Sequence, residues 1–275
     1  MKPTAIIPLL PFLLLAANTT TAGELAPVEK PLWEAGIAVG AATLPHYMGS
    51  DERYTFAIPV PYIIYRGERL KIGREGITTE LFGQRNLSID ASLGIGLPVR
   101  NSNRARAGMP DLKFNFQAGP RLNWRFFEDE QFKVTARLPL RGVMDTGGRW
   151  LGSVSEPDIA FEYRPNAETL LQLNAGALFA SRHYHGTYYS VAPLYATPIR
   201  PVYQSRAGLH SLSLSAIARY RLNDSMTLFS AMRYRNLASG VIADSPLVKD
   251  QNYISATVGL AWSFWQSEEK GSHSD

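Results

Sequence analysis

Apolar and polar residues alternate with a period of two along most of this chain. The clearest stretch is the last, where Ile254, Ala256, Val258, Leu260, Trp262 and Phe264 share one face, and Tyr253, Ser255, Thr257, Gly259, Ala261 and Ser263 share the other. Strand side chains point alternately to opposite sides, so Tyr253–Phe264 reads as a strand with one greasy and one small or hydroxylated face. The same alternation recurs over Trp33–Ala41, Leu87–Leu97, Leu112–Phe126, Phe132–Leu140, Ile159–Tyr163, Leu171–Phe179, Leu212–Leu222 and Leu228–Tyr234. Tyr54–Tyr65 carries Phe56, Ile58, Val60 and Tyr62 on one face and Pro59 and Pro61 on the other, which predicts a bulge or bend. Leu70–Phe82 reads as a short hairpin around Gly73–Gly76. One such strand is weak evidence; this many in succession, several ending in aromatic residues, predict an antiparallel transmembrane β-barrel.

The connections support that reading. Glu128–Glu130, Arg164–Glu168 and Asn223–Ser225 are short, whereas Thr43–Arg53, Arg100–Asp111, Asp145–Gly152, Arg182–Leu209 and Asn236–Asn252 are longer. Barrels of the outer membrane have short periplasmic turns and longer external loops. With both termini periplasmic the strand number is even; counting the Leu70–Phe82 hairpin as two strands gives the expected twelve, fusing it into one gives an odd eleven, and ten is the fallback. Residues 1–22 read as an export signal: Lys2, an apolar core Ala5–Ala17, and small residues Thr20 and Ala22 before the cut. Residues 23–31 would then be a periplasmic leader, 32–265 the barrel and 266–275 a polar tail.

Composition changes this picture little. The chain has no cysteine, which excludes thiolate catalysis, zinc–cysteine sites, disulfides and a lipoprotein anchor. The net charge of +4 does not call for nucleic acid as a partner. Its placement matters more. Lys113, Arg121, Arg125, Lys133, Arg137, Arg141, Arg164, Arg219, Arg221, Arg233 and Arg235 all fall on the polar face, against the acids Glu34, Asp90, Asp158 and Glu162. Arg at the bilayer midplane costs roughly 2–4 kcal/mol, so these side chains point into the lumen. They would either make a site or path for anions or fill the lumen with ion pairs. No cofactor or metal is expected. Ser181, His183 and His185 lie together, and a nucleophile beside a base, or two His sharing a strand face, is the pattern of a hydrolase or metal site. The competing reading is an interfacial aromatic belt with Tyr184, Tyr188, Tyr189 and Tyr195. His46 and His210 stand apart in the sequence.

Four blocks resemble the MipA/OmpV family of outer-membrane proteins. Pro45, Tyr47, Gly49 and Ser50 match its first loop, and Pro61, Tyr65, Arg66 and Gly67 its second block. Tyr188–Val191 with Tyr203 and Ala207–Leu209 resembles the third, and Ser245, Pro246, Leu247 and Val248, followed by Gly259–Phe264, the last. The blocks run in family order from about Trp33 to Phe264. The resemblance implies a non-enzymatic barrel in contact with outer-membrane lipid and lipopolysaccharide. It also implies a scaffold joining a murein lytic transglycosylase to a penicillin-binding murein synthase. Two alternatives stand beside it: a small-solute or anion barrel, and an outer-membrane lipid hydrolase. One departure is that family chains tend to end at the terminal aromatic, whereas Trp265–Asp275 continues past Phe264.

Overall fold

The computed structural model describes residues 31–66, 70–73, 76–79, 82–84, 86–269 and 271. Residues 1–22, expected to be an export signal, most of the expected leader 23–31, Gly67 of the second block and the last four residues of the chain lie outside the described residues. The strands are β1 (Trp33–Pro45), β2 (Arg53–Arg66), β3 (Leu70–Gly73), β4 (Gly76–Thr79), β5 (Phe82–Gln84), β6 (Leu87–Gly96), β7 (Asn115–Glu128), β8 (Phe132–Pro139), β9 (Arg141–Asp145), β10 (Trp150–Ser155), β11 (Asp158–Tyr163), β12 (Thr169–Ala180), β13 (Gly208–Arg221), β14 (Met226–Asn236) and β15 (Asn252–Gln266). Among the described residues one helix, α1 (Arg182–Tyr189), and two 3₁₀ turns, Arg104–Arg106 and Pro193–Tyr195, lie in the connections.

All pairings are antiparallel. β1 pairs with β2 on one side and with β15 on the other, so the first and last strands of the wall are joined. The ladder continues through β2–β3–β4, and separately from β5 through β6 and β7 round to β14 and β15. Two passes across the wall are each split. β8 and β9 both pair with β7 on either side of Leu140, and β10 and β11 both pair with β12 on either side of Glu156 and Pro157. Pro139 and Pro157 sit at these breaks and lack the N–H a ladder needs.

The burial pattern is inside out relative to a soluble sheet. Ile95, Leu140 and Leu214 are 65%, 58% and 56% exposed on the outer face, while Asn115, Gln172 and Arg235 inside are 0%, 2% and 4% exposed. An apolar wall round a polar interior satisfies a closed sheet in lipid.

Several expectations change. The strand predicted from Leu112 begins at Asn115, and Leu112 is instead buried in a loop that bridges to Val99. The connection predicted at Asp145–Gly152 shrinks to residues 146–149, and Trp150–Ser155 is a strand. Alternation missed it because Leu151 and Val154 point inward into an apolar core. The β1–β2 register runs without a shift, so Pro59 and Pro61 make no bulge there. Arg66 N–H donates to Leu32 C=O at 2.7 Å, so the even-numbered N–H groups of β2 face β1 and the odd-numbered positions, the prolines among them, face the β3 side. In the described residues β2 meets β3 only at Tyr65 and Arg66. Finally, β15 runs to Gln266, and the tail does not leave the wall at once: Ser267 N–H donates to Trp33 C=O and Leu32 N–H to Glu269 C=O.

Candidate functional site

The long connections 46–52, 97–114, 181–207 and 237–251 fold over one end of the barrel and bury a core of their own. Tyr47, Leu112, Tyr184, Tyr188, Tyr189, Leu237 and Ile242 pack there against Val143, Leu151, Val154, Leu178 and Tyr253 of the wall. Tyr189 is at its centre and fully buried. The local sequence explains α1. Ser181 is its N-cap, with Oγ accepting from Tyr184 N–H at 3.3 Å and from Ser153 N–H at 3.0 Å. The helix therefore hangs on β10 and lays Tyr184, His185, Tyr188 and Tyr189 into the core.

Three family-like blocks meet at this plug. Tyr47 Oη donates to Leu247 C=O at 2.6 Å, and Tyr189 Oη donates to Met48 C=O at 2.8 Å. Ser245 Oγ donates to Tyr189 C=O at 2.7 Å. Ser50 Oγ accepts from Asn103 Nδ2 at 3.1 Å. Gly49 has φ +93°, and a Cβ there would lie 3.0 Å from Leu237; its C=O accepts from Lys249 N–H. Only glycine fits that turn without strain. Pro45 closes β1 and is buried; Pro246 and Val248 are half-buried. The rest of the motif lies elsewhere. Arg66, at the short-turn end, pairs with Glu34 at 2.6 Å, while Pro61 and Tyr65 are on the outer face and Phe264 stacks edge-on to Trp262 and Trp265.

A directional chain of hydrogen bonds ties the plug to the wall. Arg235 Nη1 donates to Ser211 Oγ at 2.9 Å, and Ser211 Oγ lies 2.8 Å from His210 Nδ1. His210 Nε2 lies 2.8 Å from Tyr189 Oη. With Tyr189 donating to Met48, Nε2–H is the donor to Tyr189 and Nδ1 accepts from Ser211. Arg235 in turn holds Glu156 at 2.6 Å. Burial pushes the Tyr47 and Tyr189 hydroxyls up and the Arg106 guanidinium down; Arg106 donates to Tyr188 C=O at 2.9 Å, beneath this tyrosine layer. Burial also holds His185 below the usual imidazole range.

The proposed His pair is not brought together. On a helix, residues two apart do not share a face; His183 is exposed, and His185 is buried with Nδ1 2.6 Å from Arg206 C=O. Ser181 is occupied as a cap. Tyr184, Tyr188 and Tyr189 are not an interfacial belt either but the core of the plug. His210 is far from isolated, and His46 stacks on Tyr54 at 4.1 Å. The His185 and His210 contacts were invisible to sequence because Arg206 and Tyr189 are each 21 residues away.

In the lumen, Arg121 forms a two-point pair with Asp90 at 2.9 and 2.7 Å, and Arg137 pairs with Asp158 at 2.7 Å and with Asn174. Arg125 meets Glu128, Arg164 meets Glu162 and Arg221 meets Glu168 toward the short-turn end. Arg141, Arg233 and Arg235 all converge on Glu156, an acid the alternation did not place inside. Arg219 is on the inward face of β13 opposite Phe229, and Lys133 on β8 opposite Glu162. Lys113 precedes β7 and is exposed, with Nζ beside Gly147.

Residues 37–264 match the family model described as MltA-interacting protein MipA. A search of curated proteins gave no match. Among solved structures the chain is similar to an outer-membrane channel from Pseudomonas putida F1, with 10% identity and a TM-score of 0.47 over 90% of this chain and 100% of that one. It is also similar to OmpT from Vibrio cholerae, with 5% identity and a TM-score of 0.38 over 84% and 98% of the two chains. The toluene transporter TodX of Pseudomonas putida is a third, with 10% identity and a TM-score of 0.37 over 86% and 90%. These likenesses are of general architecture. The apolar wall, the polar lumen and the family match make this an outer-membrane β-barrel protein.

Proposed function

The chain belongs to the MltA-interacting protein family, MipA, and from that premise we propose that it is a non-enzymatic scaffold of the outer membrane. It would bring a murein lytic transglycosylase and a penicillin-binding murein synthase together. In this reading the export signal is removed after Ala22, the wall has twelve strands, the long connections face outward toward lipopolysaccharide, and the short turns face the periplasm. The family match carries the proposal; the plug supports it. Seven aromatic and aliphatic side chains from four connections close over one end of the barrel, and Tyr189 at their centre has no solvent access. A packed end suits a rigid platform better than an open pore. The hydrolase alternative has less support, since Ser181 Oγ caps a helix and accepts from two backbone N–H groups, while His185 is buried against Arg206 C=O.

The test is affinity capture of the tagged protein from solubilised envelope, with quantitation of murein enzymes. Enrichment of a lytic transglycosylase together with a penicillin-binding protein is the expected result. Capture that enriches neither, from cells expressing both, would reject the scaffold.

A further inference from the structure

Inside the wall, most charges are matched one to one: Arg121 with Asp90, Arg66 with Glu34, Arg221 with Glu168. Glu156 is the exception. Its single carboxylate faces Arg235 at 2.6 Å, Arg141 at 3.5 Å and Arg233 at 3.7 Å, three positive charges against one negative, or 3 − 1 = +2. Arg235 takes the short contact, and it is 96% buried (4% side-chain exposure). Arg233 reaches the same oxygen, Oε1, only at 3.7 Å, and its side chain is 48% exposed to the lumen. Arg141 reaches the other oxygen at 3.5 Å, and its Nε is buried without a hydrogen-bond partner. A guanidinium offers five N–H donors in a planar fork shaped for two-point capture of an oxyanion. Gly94 lets the Arg141 guanidinium lie close against the facing backbone: a Cβ there would come 3.3 Å from Arg141 Nη1 and 3.0 Å from Gln117 Oε1.

We propose that the lumen holds a binding site for a small oxyanion, phosphate or sulfate in class, between Arg141 and Arg233 beside Glu156. The anion restores local charge balance and occupies the donors that Glu156 leaves unfilled. Arg235 is not part of the ligand shell; it holds Glu156 in place and links the site to the plug through Ser211 and His210. The inference does not depend on the scaffold reading, because it rests on the lumen and not on any partner.

The experiment is calorimetric titration of the purified full-length protein in non-ionic detergent at low ionic strength, first with sodium phosphate and then with sodium sulfate. Wild type is expected to bind one anion saturably. Arg233→Gln should weaken binding by about tenfold or more, since a hydrogen bond to a charged group contributes about 1.5–3 kcal/mol. Arg149→Gln, which alters an exposed arginine in a connection, should leave it unchanged. Absence of saturable binding in wild type, or equal loss in the two variants, would overturn the site. Folding of each variant is checked by heat-modified gel mobility. If Arg233→Gln does not fold, Arg233→Lys keeps the charge without the fork, and unchanged affinity there would also overturn it.

Discussion

Tyr189→Phe removes one oxygen from the middle of the plug and nothing else. The ring keeps its contacts with Tyr47, Tyr188 and His210, so the apolar packing survives. The hydroxyl, however, donates to Met48 C=O at 2.8 Å and sits 2.8 Å from His210 Nε2. Without it the Met48 carbonyl loses its donor, and the N–H of a fully buried imidazole points at an aromatic C–H. An unsatisfied buried polar group costs about 1–3 kcal/mol, and the carbonyl has a second lone pair with which to compensate in part, so the loss should be about 2–4 kcal/mol. Equilibrium urea unfolding in phospholipid vesicles, followed by tryptophan fluorescence and gel mobility, reads that number directly. A loss below about 0.5 kcal/mol would show that the hydroxyl is hydrated or the His210 contact is not made, and would refute the relay from wall to plug. The loss should be non-additive with Ser211→Ala, which breaks the same chain one step earlier.

Further outcomes follow from the same geometry. Acid should weaken the protein through His185: its folded pKa is depressed by burial, so its contribution is complete above the unfolded value of about 6.5 and is lost progressively as pH falls from there through the depressed folded value. Unfolding free energies from pH 8 to pH 5 should fall, and the fall should flatten in His185→Phe. Arg121→Ala leaves Asp90 buried without its partner and should cost about 3–5 kcal/mol, most of it recovered in Arg121→Ala with Asp90→Ala; equal loss in single and double variants would reject the pair as written. Planar bilayers with wild-type protein should stay nearly silent, and steady anion-selective currents would contradict a closed plug. A protease site inserted in the 192–203 connection should be cut on intact cells; protection there with cutting at 223–225 would invert the orientation.

Most of the wall was legible because most of its residues answer to one condition, lipid or lumen, imposed at every second position. Leu212, Leu214 and Ala216 announce their face without reference to any other strand. The plug obeys no such rule. Tyr47, Leu112, Tyr189, Leu237 and Ile242 come from four connections with no shared period, and their burial exists only once the barrel has brought the connections together. The family-like blocks marked those stretches but not their meeting point. His210 looked bland because its partner Tyr189 is 21 residues away on another element. Glu156 escaped notice for a different reason: the prolines at 139 and 157 interrupt the two strands that aim Arg141 and Glu156 at each other, and the alternation is broken there. Strand Trp150–Ser155 was hidden by the plug itself, which turns its inward face apolar.

The two prolines of β2 carry a consequence for assembly. Along the side of β2 that faces β3, Pro59 and Pro61 occupy successive donor positions and supply no N–H. A foreign strand approaching that edge would forgo two adjacent ladder bonds, and proline on an edge is a known block to such pairing. Any partly built sheet that ended at β2 would therefore present a strand poorly suited to recruiting a neighbouring chain at mid-height.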